Sequence, residues 1–399
     1  MLSQMSILLI SFFYNISFVI TKPFVPLLAK SLNASSSMIG ILVSIQFFFP
    51  MILAIPAGQT VDFFGARRVL ILGSLLIAFP GIIYLYANDV WALFTAQIIS
   101  GMGLLLVWLA SQTVATQVYS GVGARDSFVG YFGSFSAAGQ LLAPVLGGAI
   151  ADTWGYRMAL GSSLISGGLV FLCTLTLPKY ETRQIKLSHV LFHSYADAWS
   201  ILIKNHGVQL VALSSFVPLF VNLTRVSFLP LYLNSLNFSN TMMGVVLSLG
   251  PLVAIFCRAT MRIMIRVLSR RFVLFGTIIT ASVAMALFPL FKTFWPLAIL
   301  SAACGWGSGM NEPMAISLVA AYTHGSTRGI ALGLRLGVNR LTMFIAPLLF
   351  ATFMKMYGLG NAFIASGSLL LAWTIGPMAY SYKLRLGADL GVKEGKSPG

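Results

Sequence analysis

Charge is what this sequence has least of. Asp, Glu, Lys and Arg make up only 9% of its 399 residues, where a soluble domain carries roughly 25%. Acids are scarcer still, with 9 against 25 bases. A chain with so little charge and 58% apolar residues cannot solvate a globular surface, which excludes the soluble classes and points to an integral membrane protein. The net charge of +16 would suggest nucleic acid in a soluble protein. Here the bases sit in the loops, and no nucleic-acid partner is expected. Cysteine is equally sparse: Cys173, Cys257 and Cys304 lie in apolar runs without metal-ligand spacing or an obvious pairing, so no disulfide framework and no metal are expected. There is no phosphate-cradling Gly-Lys loop, no nucleophile with a matched base and no cluster of metal ligands. ATP hydrolysis and enzyme chemistry are therefore excluded and no cofactor is expected, so energy has to come from an ion or solute gradient.

What the sequence does have is long apolar runs. They predict helices over approximately 6–29, 38–57, 69–87, 91–118, 128–150, 157–177, 207–233, 241–265, 272–291, 295–322, 329–353 and 362–382. Runs of about 20 residues at ~1.5 Å rise match the roughly 30 Å hydrocarbon core. The first run follows no basic leader and is too long for a signal segment, so it reads as a retained helix. Twelve spans leave both termini on one side. That side collects Arg67, Arg68, Arg125, Arg262, Arg270, Arg271 and Arg328, while the opposite loops carry only Lys30, Arg157, Lys292 and Lys355. The asymmetry places both termini in the cytoplasm of a multi-pass cytoplasmic-membrane protein.

The longest polar interruption divides the chain into a six-helix unit over 1–177, a linker over 178–206, a second six-helix unit over 207–383 and a tail over 384–399. Within the linker, 193–204 has the pattern of an amphipathic surface helix, and His189 and His193 read as solvated rather than as metal ligands. The two units repeat each other. Pro26, Ser31-Leu32-Asn33 and Gly40 recur 204 residues later as Pro230, Ser235-Leu236-Asn237 and Gly244. Gly130, Ala143-Pro144 and Gly155 recur 203 residues later as Gly333, Ala346-Pro347 and Gly358.

Between the second and third runs lies a polar stretch with Gly58, Asp62, Gly65, Arg67 and Arg68, read as a loop in water. The glycines permit a tight turn and close helix approach, and Asp62 can accept from arginines or from N–H groups at a helix start. The stretch resembles the G-x-x-x-D-x-x-G-x-R-R signature between helices 2 and 3 of the major facilitator superfamily. That resemblance implies an all-α integral membrane fold of twelve helices in two pseudo-symmetric six-helix bundles, with a gating loop here and a solute site between the bundles near the midplane. The second-half copy keeps only cations: Arg270-Arg271 stand for Arg67-Arg68, but Ile265 stands for Asp62 and Met261 for Gly58. Helix 5 carries Gly130, Gly139, Ala143, Pro144, Gly147 and Gly148, resembling the superfamily's antiporter motif with alanine at one glycine. This implies kinship with proton-linked drug and metabolite antiporters. The small residues equally serve ordinary helix packing, and Gln97 stands where that branch usually has a helix-4 arginine.

Ionisable groups within hydrocarbon are costly and so mark function; they are Lys22, Arg225, Arg258, Glu312, Arg335 and Arg340. Ser11, Asn15 and Lys22 share one face of helix 1, and Ser215, Asn222 and Arg225 share one face of helix 7. The resemblance makes helices 1 and 7 cavity walls, which sets Lys22 and Arg225 opposite each other as an anion site. Snorkelling to the headgroups is the rival role for Lys22. Glu312 either pairs with Arg335 or Arg340, as a structural or gating bridge, or carries the coupling proton. Trp108, Gln112, Asn311 and Asn339 complete the expected solute wall. The expected function is secondary transport of a small organic anion, coupled to protons and directed outward, by a monomer in the bilayer. The alternatives are proton-linked efflux of lipophilic or cationic drugs, uptake of an organic anion, and a non-transporting membrane sensor.

Overall fold

In the computed structural model, residues 2–119, 122–178, 206–268, 270–322 and 325–383 are described. The linker features at His189, His193 and 193–204, and the tail, lie outside them. The described residues form α1 (Leu2–Ser31), α2 (Ser36–Phe64), α3 (Ala66–Leu85) and α4 (Val90–Gln117). The continuous run Val122–Leu175 breaks at Gly155 into α5 (122–154) and α6 (156–175). Then come α7 (His206–Ser235), α8 (Asn240–Val267), α9 (Arg270–Leu287), α10 (Phe294–Tyr322), α11 (Gly325–Tyr357) and α12 (Leu359–Lys383), with one 3-10 turn, Phe288–Leu290, after α9. With α5 and α6 taken as one, ten described runs are long and apolar enough to cross a bilayer.

The sequence repeat is a structural repeat. α1 and α7 end on left-handed asparagines, Asn33 and Asn237, each with φ 61°. An Asn side chain tolerates that conformation because it hydrogen-bonds locally. The next helices start on serine caps: Ser35 Oγ accepts from Met38 N–H, and Ser239 Oγ from Met242 N–H. The α5–α6 and α11–α12 joints turn on Gly155 (φ 82°) and Gly358 (φ 81°), where the absence of Cβ makes a positive φ cheap.

Packing follows the same symmetry. A Cβ on Gly101 of α4 would collide with the Gln46 carbonyl of α2, and one on Gly305 of α10 with the Gly250 carbonyl of α8. In each bundle a glycine thus lets two helix backbones cross in contact, which is how spanning helices associate when lipid removes the hydrophobic drive between them.

The stretch from Gly58 is mostly not a loop. α2 continues through Asp62 to Phe64, and Gly65 alone (φ 84°) separates it from α3. Polarity ends the hydrocarbon span, but it does not end a helix whose backbone bonds can continue, here as far as Gly65 N–H to Val61 O.

Candidate functional site

Because α1 rises from one face of the bundle to the other, the face where it begins is here the near face and the opposite one the far face. The two bundles meet along two long seams, α5 with α8 and α2 with α11, and α1 also touches α7. On α5 the residues at 148, 144, 141, 137, 134 and 130 share a helical face. At its far end Gly148 seats against the Asn240 carbonyl and Thr241, the Pro144 carbonyl seats against Gly244, and the Leu141 carbonyl accepts from Ser248 Oγ at 2.6 Å. Further down the same face, Gly130 has nothing within 4 Å. The second seam repeats this. Gly40 seats on Ala351 and the Pro347 carbonyl, the Phe48 and Phe344 rings meet at 5.7 Å, and Gly337 has nothing within 4 Å. Both seams are closed at the far face and part toward the near one.

A carboxylate ties the far end. Asp152 accepts from Asn240 N–H (2.8 Å) and Nδ2 (2.9 Å), and from Thr241 N–H (2.8 Å) and Oγ1 (2.6 Å). It therefore satisfies the open N-terminus of α8 from the other bundle. The repeat places Lys355 at the equivalent position of α11, so only one seam has this tie. Asp152→Ala is expected to speed amide exchange over residues 240–243 several-fold, while Asp152→Asn, which keeps one acceptor oxygen, gives a smaller change. Exchange mass spectrometry on the full chain checks both.

Arg340 lies where the α2–α11 seam parts. It shares the α11 face of Phe344 and Gly337, is half-buried, and has no hydrogen-bond or ion-pair partner among the described residues. Asn339, beside it in sequence, has a buried Oδ1 that accepts nothing.

Lys22 does not snorkel. Its side chain is 5% exposed. Its Nζ donates to Gln46 Oε1 and lies over the Phe18 and Phe47 rings, 4.3 and 4.2 Å from their centroids. Gln46 Nε2 in turn donates to Ser100 Oγ at 3.1 Å, so the ammonium is anchored between α1, α2 and α4.

Arg225 is enclosed in the other bundle, with 2% of its surface exposed. Nη1 donates to the Leu247 carbonyl (2.9 Å) and Ser301 Oγ (2.8 Å), and Nη2 to Asn222 Oδ1 (3.2 Å). Its room comes from Gly250, where any Cβ would strike the guanidinium. Gly250 is the repeat partner of Gln46, so Arg225 fills the space that a glutamine side chain fills around Lys22. The two cations that were expected to face each other across a cavity are instead each bound within a bundle.

The remaining candidates are spread out. Asn15 donates to the Ser11 carbonyl (2.8 Å) and accepts from Gln140 Nε2 (3.1 Å), tying α1 to α5. Asn311 donates to the Ser214 carbonyl at 3.3 Å, Gln112 is exposed on α4, and Trp108 stacks on Tyr14. Glu312 lies on α10, but its side chain and its pairing with Arg335 fall outside the described residues; Arg335 itself is buried. In the helix-5 motif, Gly139 and Gly147 pack on α1, at Phe12, Asn15, Ile20 and Phe24, while Pro144 and Gly148 pack on α8; Ala143 is fully buried. Arg67 donates to the Leu175 carbonyl at 2.9 Å and Arg68 is exposed, whereas the side-chain surroundings of Asp62 and Gly58 lie outside the described residues.

Sequence reasoning missed Asp152, Tyr14 and Phe18. The acid carried a signal, since it follows the Gly147-Gly148 end of the motif by one helical turn. The aromatics carried none, because a ring in an apolar helix is by default packing.

Two pseudo-symmetric six-helix bundles, closed against each other at one face and parted at the other around a buried polar interior, define a secondary transporter. The chain belongs to the Major Facilitator Superfamily, whose family model matches residues 7–268 and 259–397. It is 22% identical over 393 residues to a Na(+), Li(+), K(+)/H(+) antiporter of Planococcus maritimus, covering 90% of each chain. It is 24% identical over 319 residues to the class D tetracycline resistance protein of Salmonella ordonez, covering 78% of each. Among solved structures, the nucleoside transporter NupG superposes with a TM-score of 0.82 at 13% identity, over 95% of this chain and 99% of that one.

Proposed function

We propose that the protein exports a small organic anion across the cytoplasmic membrane in exchange for protons, with Arg340 as the solute anchor. One observation carries this reading: a half-buried guanidinium, without a partner among the described residues, where the α2–α11 seam parts. A charge held out of bulk water needs a counter-charge. The excess of bases on the near face makes that face cytoplasmic, so the structure is closed to the outside and open inward. Export coupled to protons is supported by the helix-5 motif lining the α5–α8 seam, and by the relative named as a cation/proton antiporter. Glu312 is the acid within a span that suits proton transfer, through or instead of a pair with Arg335.

Efflux of a lipophilic cation is the second reading, favoured by the aromatic rings around Lys22 and by the tetracycline resistance relatives. Proteoliposomes enclosing a pH-sensitive dye separate the two. Under the anion reading, benzenesulfonate moves protons in the wild type and not in Arg340→Gln. Proton movement driven by ethidium alone, lost in Glu312→Gln, would establish the cation reading instead. Binding without any flux would identify a sensor.

A further inference from the structure

The rings on α1 and α4 form a ladder. Phe18 and Tyr14 stack with centroids 6.3 Å apart and planes at 10°, and Tyr14 and Trp108 with centroids 5.8 Å apart and planes at 26°. Tyr14 is held in place by its hydroxyl, which donates to the Leu104 carbonyl at 3.3 Å. It is 7% exposed, whereas Phe18 and Trp108 at the two ends are half-buried and retain accessible ring surface. The ladder lies beside the α2–α11 seam, because its Phe18 ring meets Phe47 of α2 at 6.5 Å and the neighbouring Phe48 meets Phe344 of α11. The Phe48–Phe344 contact closes the wedge above, one helical turn from Arg340.

We infer that the transported anion is planar and aromatic: its ring lies along the Tyr14–Trp108 ladder while its acidic group meets Arg340. This deepens the anion reading above and rests on it. Three observations combine. Near-parallel rings offer the offset stacking that a flat π system prefers over aliphatic bulk. A guanidinium presents a planar fork matched to carboxylate, sulfonate or phosphonate oxygens. Lys22 cannot take over that role, because Phe18 and Phe47 cover its ammonium and Gln46 already accepts from it. Arg340 is therefore the group left to make the direct contact.

The test compares two ligands of equal charge and similar size that differ in their π face. Titration calorimetry of the detergent-purified full chain with benzenesulfonate and with cyclohexanesulfonate is expected to show the aromatic ligand binding about fivefold tighter, the gain typical of a ring stack. Trp108→Leu is expected to bring the two affinities together by weakening only benzenesulfonate, while Trp108→Phe preserves the gap and reports that the helix pair has kept its geometry. Equal affinities in the wild type, or a Trp108→Leu variant that weakens both ligands alike, would overturn the aromatic inference and leave the anion site standing. Failure of both ligands to bind the wild type would remove the anion site, and the inference with it.

Discussion

Arg340→Gln is expected to abolish binding of organic anions while leaving the unliganded protein's thermal unfolding nearly unchanged, and Arg225→Gln is expected to do the reverse. The two residues have the same head group in opposite settings. Arg225 is committed through both terminal nitrogens, with its Nε buried and unpaired: it bridges a carbonyl of α8, a hydroxyl of α10 and an amide on its own helix, in a space left by Gly250. Removing it opens a void and strands buried acceptors, each of which costs roughly 1–3 kcal/mol when left unsatisfied. Lysine restores it only in part, because a single ammonium can take the Leu247 carbonyl and Ser301 Oγ that Nη1 takes but lacks the second arm that reaches Asn222. Arg340, half-buried and with no partner among the described residues, has no such bonds to lose. Its loss removes the counter-charge for the solute. A thermal-shift series with benzenesulfonate measures both effects, because a ligand that binds only the folded state raises apparent stability. The contrast fails if Arg225→Gln unfolds at the wild-type temperature but no longer responds to the ligand. Arg225 would then be the solute contact.

That contrast also shows where sequence reasoning stops. Helical spacing places Asn222 and Arg225 on one face of α7, and they are indeed hydrogen-bonded. Spacing does not say whether the face turns toward the other bundle or into its own, because both surroundings are apolar helices. The deciding signal was the glycine at 250, the repeat partner of Gln46, and a single glycine among 37 is not recognisable as a vacancy for a guanidinium. Features set by local backbone chemistry were legible: the asparagine ends of α1 and α7, the glycine joints at Gly155 and Gly358, and the length of the spans. Features set by helices far apart in sequence were not. The Tyr14–Trp108 stack joins residues 94 positions apart, and neither ring is unusual in its own helix. The polar stretch at Gly58 misled for a related reason: charge density marks where the bilayer ends, and α2 continues beyond it.

Gly244→Val is expected to shift the protein strongly toward a state open at the far face. A Cβ at Gly244 would lie 2.7 Å from the Pro144 carbonyl carbon and 2.9 Å from Val145 Cα, all of it backbone that no rotamer change can move. Overpacking of this order costs about 1–3 kcal/mol, a population shift of roughly ten- to a hundredfold, and the cost applies only while the α5–α8 seam is closed at that end. Gly130 lies on the same α5 face with open space around it, so Gly130→Val costs nothing in the present state. It acts only when the near end of the seam closes, and it is therefore expected to hold the far face shut. Spin labels at Ala149 and Met242, in a background with Cys173, Cys257 and Cys304 replaced, report the far-face separation directly. The distance should lengthen for Gly244→Val and stay short for Gly130→Val, and both variants should lose proton-coupled flux, since transport requires each end of the seam to open and close in turn. Each is expected to bind benzenesulfonate still, because Arg340 and the ring ladder lie outside the α5–α8 contact. A shared loss of flux with opposite changes in distance separates a block on the cycle from damage to the site. If both variants gave the same distance, the closed far end of the seam would be ordinary packing rather than one of two alternating seals.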